Sequence, residues 1–251
     1  MAHRAVAGCR GAVRMNVLIV HAHPEPQSFC AAMCREAVAE LQAAGHHVVV
    51  SDLYAQGFNP VASASDFAER RKPDYLTYAL EQRHGVETGT LAPDIQAEID
   101  KVRACDLLIL SFPVYWFSAP AMLKGWIDRV FVSGVFYGGR RIFDRGGMRG
   151  KKAMLAFTLG GREHMFGDSG IHGELETLFK PLIRGTLGYV GMSVLEPFAA
   201  YHVPYLSDAE RGEIMQGWRK VLATLDQRRC LDVPSLDDYD ETLRRKDAAH
   251  A

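Results

Sequence analysis

The chain has 251 residues, 29 Lys+Arg against 30 Asp+Glu and 48% hydrophobic content, the composition of a folded domain long enough to bury a core without disulfide or metal staples. A formal net charge of -1 offers no basic field for a phosphate backbone, and no stretch approaches the roughly 18 consecutive apolar residues of a membrane span. Nucleic acid and membrane insertion are therefore excluded as partners. Five cysteines, Cys9, Cys30, Cys34, Cys105 and Cys230, form an odd set with no C-x-x-C pair, which points to a reducing, cytoplasmic compartment rather than a disulfide framework.

Residues 1–14 carry three Arg and no acid, but their apolar stretch is too short for a secretory core and Ser is absent. They read as a disordered leader or an upstream start, ahead of a single domain expected over 15–227. From Asn16 the chain alternates short apolar runs with helical periods. Asn16 to Ala22 is a β-branched run suited to a strand buried on both faces. Phe29, Met33, Ala37, Leu41 and Ala44 then recur every three or four residues until Gly45 stops the helix, and His46 to Leu53 is a second strand. Cys30 and Cys34 fall four apart on that helix with no His in register, and read as small helix residues. The alternation resumes with a helix over Pro93 to Ala104, a strand over Asp106 to Phe112 and a helix around Ala119 to Val132. A strand over Lys152 to Thr158, a helix after His172, a strand near Met192 to Glu196 and a last helix opened by the Ser207/Glu210 capping box complete it. Five strands alternating with helices predict an α/β fold, a doubly wound five-stranded parallel sheet with helices on both faces. Gly57 to Gly89 is polar and weakly periodic, a decoration or partner-contacting segment. Gly134 to Gly150 reads as a mobile excursion, and residues 228–251 as a polar, solvated tail.

In such a sheet ligands gather beyond the carboxyl ends of the strands. The first strand leads through His23 to Ser28 and a helix start, which offers backbone N–H groups and a positive dipole end to a phosphate, but without the G-x-G-x-x-G of a dinucleotide-binding turn. The third ends in Pro113-Val114-Tyr115-Trp116-Phe117, three aromatics on a proline-bracketed loop, either a wall for a flat ring or a plug under the loop. The fourth ends in Thr158-Leu159-Gly160-Gly161, where paired glycines allow backbone to approach a ligand, and His172 at a helix start can donate to developing charge. A nucleophile elbow fails, because Gly167-Asp168-Ser169-Gly170 is followed by Ile171.

These residues resemble the NAD(P)H:quinone oxidoreductases of the DT-diaphorase type, a family of dimeric flavoenzymes with a flavodoxin-like fold. The resemblance runs through His-Pro-Glu-Pro-Gln-Ser-Phe at 23–29, Ser51-Asp52-Leu53-Tyr54, Phe112-Pro113, Trp116-Phe117, Leu123-Lys124-Gly125-Trp126, Gly160-Gly161, Gly170-Ile171-His172-Gly173 and Leu195-Glu196-Pro197. It implies FAD as cofactor, with FMN the lesser candidate, and NADH or NADPH as hydride donor. It gives the flavin phosphates to His23, Gln27, Ser28 and Phe29, and the isoalloxazine to Pro113, Val114, Tyr115, Trp116 and Phe117, with Thr158, Gly160 and Gly161 along its pyrimidine side. Arg211 matches an arginine that the family uses on FAD, and Tyr137 an aromatic lid supplied by the neighbouring subunit. Tyr137, Trp116, Phe117 and His172 would contact the quinone. Catalysis falls to His172 with Gly160 and Gly161, while the family's active-site tyrosine is Phe166 here. Tyr115 stands where glutamine is common, and positions matching one branch's metal ligands hold Arg184 and Gly188, so no metal is expected. The implied activity is two-electron, ping-pong transfer of hydride from NAD(P)H to a quinone by a homodimer. The rivals are an FMN-dependent azo or nitro reductase, an electron-carrying flavodoxin and an ancillary subunit of a potassium-efflux system.

Overall fold

The computed structural model describes residues 14–246. Five runs of apolar residues form strands β1 (Asn16–His21), β2 (His47–Asp52), β3 (Leu107–Pro113), β4 (Lys152–Thr158) and β5 (Ser193–Ala200), all parallel, in the order β2-β1-β3-β4-β5. Helices α1 (Phe29–Ala43), α2 (Tyr78–Thr88), α3 (Pro93–Ala104), α4 (Ala121–Val130), α5 (Leu175–Leu178), α6 (Lys180–Leu182) and α7 (Asp208–Ala223) lie between and after them. A parallel sheet needs a covering layer on each face, and the alternation of side chains along each strand divides the core accordingly. Val17, Ile19 and Ile109 meet Met33, Leu41 and Trp218 from α1 and α7. Leu18, Leu108 and Leu110 meet Ile95, Ile99 and Trp126 from α3 and α4. The two helices of the first layer are also joined by Trp218 Nε1 donating to the Met33 carbonyl at 2.9 Å. This is the doubly wound sheet that the sequence predicts.

The differences have local causes. Strand β5 runs on to Ala200, past Pro197, which a sequence reading takes as a stop; proline is tolerated on an edge strand. The helix after His172 is broken into α5, α6 and a π-helical turn over Ile183–Gly188. Helix α2 lies inside the segment read as a decoration, and it escapes a periodicity test because the face it buries is Glu81, Gln82 and Gly85. The Gly134 to Gly150 segment is packed, with Phe136, Ile142 and Met148 buried. The expected solvated tail is also packed as far as it is described: Leu231 and Leu236 are buried, Leu231 N–H donates to the Val194 carbonyl, and Asp144 accepts from Ser235 Oγ at 2.8 Å and Leu236 N–H at 3.0 Å. The predicted leader lies outside the described residues except for Arg14.

Arg129 ties the 57–92 segment to the sheet. Its guanidinium donates to Asp66 Oδ1 at 2.9 and 3.2 Å, to Asp94 Oδ2 at 2.7 Å and to the Asn59 carbonyl at 2.8 Å, and lies 4.9 Å from the centre of the Phe58 ring. Tyr78 Oη donates to the other oxygen of Asp66 at 2.5 Å. Asp66 is 1% exposed, so its charge depends on these partners. Arg129→Leu is expected to lower the unfolding free energy by about 3–5 kcal/mol in urea titrations, because a buried carboxylate is left without its cation. Asp94→Ala removes a half-exposed partner and should cost under about 1 kcal/mol. Equal effects would overturn Asp66 as the critical buried charge.

Candidate active site

The strand order reverses between β1 and β3, because α1 covers one face of the sheet and α3 the other, and a crevice opens where the two crossovers diverge. Two connected cavities lie along it. One of about 210 Å³ is lined by residues that include His23, Ser28, Phe29, Pro113, Tyr115, Thr158, Val203 and Pro204. The other, of about 240 Å³, is lined by residues that include Trp116, Phe117, Gly161, Phe166, His172 and Leu178. Val114, Leu159 and Gly160 belong to both.

At the end nearest α1, Ser28 caps the helix, its Oγ accepting from Ala31 N–H at 3.1 Å. The amides of Phe29 and Cys30 precede the first intrahelical acceptor and stand at the head of the crevice. His23 Nδ1 accepts from Glu25 N–H at 3.0 Å, and the Glu25 carboxylate accepts from Gln27 N–H at 2.7 Å, so the loop is braced by its own side chains. Burial lowers the His23 pKa and favours its neutral ring. Gln27 is exposed and lines neither cavity.

The aromatic loop is a two-residue hairpin. Tyr115 and Ser118 exchange backbone hydrogen bonds at 3.0 Å in both directions, and Trp116 and Phe117 between them have φ of +48° and +57°. Such turns normally carry Asn-Gly, so two bulky side chains here store strain of about 1–3 kcal/mol each. The result is Trp116 turned outward at 96% exposure and Phe117 turned onto His172, with ring centroids 5.0 Å apart. Phe166 packs on the same imidazole at 5.1 Å. Gly170 allows this placement: a Cβ there would strike the Met165 carbonyl, which accepts from His172 N–H at 2.9 Å. Among the described side chains lining the cavity with Trp116 and Phe117, His172 is the one with an ionisable group.

Gly160 has ordinary φ, and a Cβ added to it meets nothing within 4 Å, so the backbone does not require glycine and the space beside it is open. Thr158 is buried beside it. Arg211 sits in the first turn of α7, where its Nη2 donates to the Val203 carbonyl at 3.5 Å and its buried Nε has no partner. Tyr137 lines neither cavity; it packs against Tyr189 at 5.6 Å.

Two groups were not foreseen. His202 donates its backbone N–H to the Gly161 carbonyl at 2.9 Å, and its Nδ1 lies 3.1 Å from the Gly160 carbonyl, in a left-handed conformation with φ +56°. It lies two residues past β5 and was missed because that strand was ended at Glu196. Beneath the head of α1, His21 at 4% exposure bonds Ser111 Oγ at 3.0 Å, and Ser111 Oγ lies 3.9 Å from Cys30 Sγ. Burial pushes the Cys30 thiol up to about 11, so it is an inert packing group.

Burial also lowers the His21 pKa below its usual 6.5. The unfolded chain then binds more protons than the folded one as pH falls below 6.5, and stability drops in that direction. Urea midpoints should fall between pH 7 and pH 5, and His21→Leu should flatten part of that slope. An unchanged slope would rule out His21 as a source.

A family profile described as the flavodoxin-like fold matches residues 15–222. NAD(P)H dehydrogenase [quinone] 1 of Rattus norvegicus is 40% identical over 211 residues, covering 84% of this chain and 77% of that protein. The Homo sapiens ribosyldihydronicotinamide dehydrogenase [quinone] is 39% identical over 84% of this chain and 91% of its own. Among solved structures, a Klebsiella pneumoniae protein assigned as a quinone reductase superposes with a TM-score of 0.87 at 33% identity, over 94% of this chain and 95% of that one. The general stress protein 14 of Treponema denticola, in complex with FMN, superposes with a TM-score of 0.59 at 25% identity over 84% of this chain and 98% of its own. A crevice at the switch point, the aromatic hairpin and this degree of likeness together place the chain in the NAD(P)H:quinone oxidoreductase family of flavodoxin-like fold.

Proposed function

We propose that the chain is a flavin-dependent NAD(P)H:quinone oxidoreductase that carries FAD, acts as a homodimer and serves donor and acceptor at the same place in turn. The observation that carries this reading is the continuous crevice. It has helix amides and a neutral histidine at one end, an aromatic wall with one titratable group at the other, and open space over Gly160 between them. The residues fit a flavin: the open face at Gly160 suits a ring laid against backbone, and the orphaned Arg211 Nε lacks an acceptor.

A bound flavin supplies two-electron chemistry, taking hydride from NAD(P)H and returning it to a quinone, which leaves as hydroquinone after gaining one further proton. His23, Ser28 and the α1 amides would hold its phosphates. Trp116 and Phe117 wall the ring end and exclude water. His172 would hold a proton or a hydrogen bond toward the ring, and Phe166 fills the space of the family's tyrosine without its hydroxyl. Tyr137 would reach the site of the neighbouring subunit. An odd set of five cysteines with no C-x-x-C pair in the sequence supports a reducing, cytoplasmic compartment.

His172→Ala should slow reduction by NAD(P)H roughly ten- to a hundredfold in stopped-flow measurements, the loss of one hydrogen bond to developing charge, with flavin content unchanged. Phe166→Tyr should quicken it by up to about tenfold. Gly160→Ala should keep the melting temperature and lower flavin content. Indifference of the reduction rate to His172 would sink its role, and full flavin content in Gly160→Ala would move the flavin away from that backbone. Light scattering should report about 56 kDa, twice the 27.8 kDa chain, with parallel double-reciprocal plots when both substrates are varied. A fully active monomer would overturn the shared site.

A further inference from the structure

We propose that a second cavity, between α1 and the edge strand β2, binds a compact aliphatic α-amino acid, with its carboxylate on Arg35 and its ammonium between Asp52 and His21. The cavity has a volume of about 250 Å³ and shares no lining residue with the two cavities of the crevice. His21, Asp52 and Val50 face it from the sheet, Arg35 and Val38 from α1, and Pro26 from the loop between β1 and α1. Pockets for drug-sized ligands begin at roughly 300 Å³, so this one suits a smaller molecule.

The polar groups of this cavity are arranged for an occupant rather than for one another. His21 and Asp52 are partners in the β1/β2 register, so their side chains leave the same face of the sheet. His21 is 4% exposed, and Ser111 Oγ on β3 takes its Nδ1 at 3.0 Å. The other ring nitrogen is turned the opposite way, toward β2 and the cavity, and bonds to nothing among the described residues, whereas buried polar atoms normally have partners. Burial keeps the ring neutral at pH 7. Asp52 Oδ1 accepts from Ala55 N–H at 3.0 Å, and Arg35 Nη1 donates to the Pro26 carbonyl at 2.9 Å. Among the described residues neither forms an ion pair, although both line this one cavity. Opposite charges held apart across a small space are matched by a molecule that carries both. A carboxylate fits the planar fork of the guanidinium, and an ammonium donates to the Asp52 carboxylate and to His21 Nε2. Val38 and the 38% exposed Val50 then meet the aliphatic side chain. An anion alone would face Asp52, and a cation alone would face Arg35.

The test is isothermal titration calorimetry of the full chain at pH 7 with L-valine, with isovalerate, which lacks the ammonium, and with isobutylamine, which lacks the carboxylate. L-valine should bind at one site per chain, and each half-charged analogue at least about tenfold more weakly, for want of one hydrogen-bonded charge. Arg35→Gln should weaken L-valine roughly ten- to a hundredfold, and so should Asp52→Asn, which keeps an oxygen for Ala55 N–H. Because the cavities are separate, L-valine should leave the KM for quinone unaltered. No binding of L-valine by the wild-type chain up to about 10 mM would overturn the proposal. Isovalerate binding as tightly as L-valine would reduce the site to an anion contact and overturn it too, as would L-valine affinity indifferent to both substitutions. Competition between L-valine and quinone would move the amino acid into the crevice, and the proposal would fall.

Discussion

Every strand of this sheet points the same way, and that single constraint locates everything chemical in the molecule. Parallel neighbours cannot be joined by a tight turn, so each strand hands the chain to a crossover, and all crossovers leave from one edge of the sheet. The loops carrying His23, Trp116, Gly160 and His202 come from β1, β3, β4 and β5, four separate stretches of sequence, and meet only because their strands share a direction. The crevice itself follows from the reversal of winding at β1 and β3. Rigid strand ends set the loop anchors, and glycines, capping residues and the strained hairpin do the remaining aiming.

The charged groups of the interior serve this frame more than the chemistry. Glu98 is buried and accepts from Ser51, Lys101 and Trp126 at 3.0, 2.6 and 2.8 Å, which joins β2, α3 and α4 at the back of the sheet. Arg129 and Asp66 do the same for the segment before α3. Such groups give a layer of helices one arrangement among several of similar apolar burial, at the cost of desolvating each charge.

Strand and helix periods made most of the fold legible before any coordinates were considered, because strands buried on both faces are continuous apolar runs and α1 has a clean apolar stripe. Helix α2 was not legible: its inward face is polar and is satisfied by partners distant in sequence, such as the Asp128 carbonyl that Gln82 reaches at 2.9 Å. Pro197 concealed the last four residues of β5, and with them the position of His202. The candidate site divides in the same way. Gly160 and Trp116 announce themselves by residue type just after strand ends and His172 by its place ahead of a predicted helix, whereas His21 and Ser111 read as ordinary strand residues until the sheet register sets them opposite one another. Tyr137 could be named only by resemblance, and a single chain does not bring it to the crevice.

The segment after α7 has a bearing on the life of the protein outside its chemistry. Arg229 and Leu231 bond to Glu196 and Val194 along the free side of β5, and Cys230 bridges Leu195 in antiparallel sense. An uncovered sheet margin is a template on which unrelated chains add strands, and here the chain occupies that template itself. Residues 229–231 thus occupy the first half of that margin, along Val194 to Glu196, and Pro197 removes a donor from the stretch that follows.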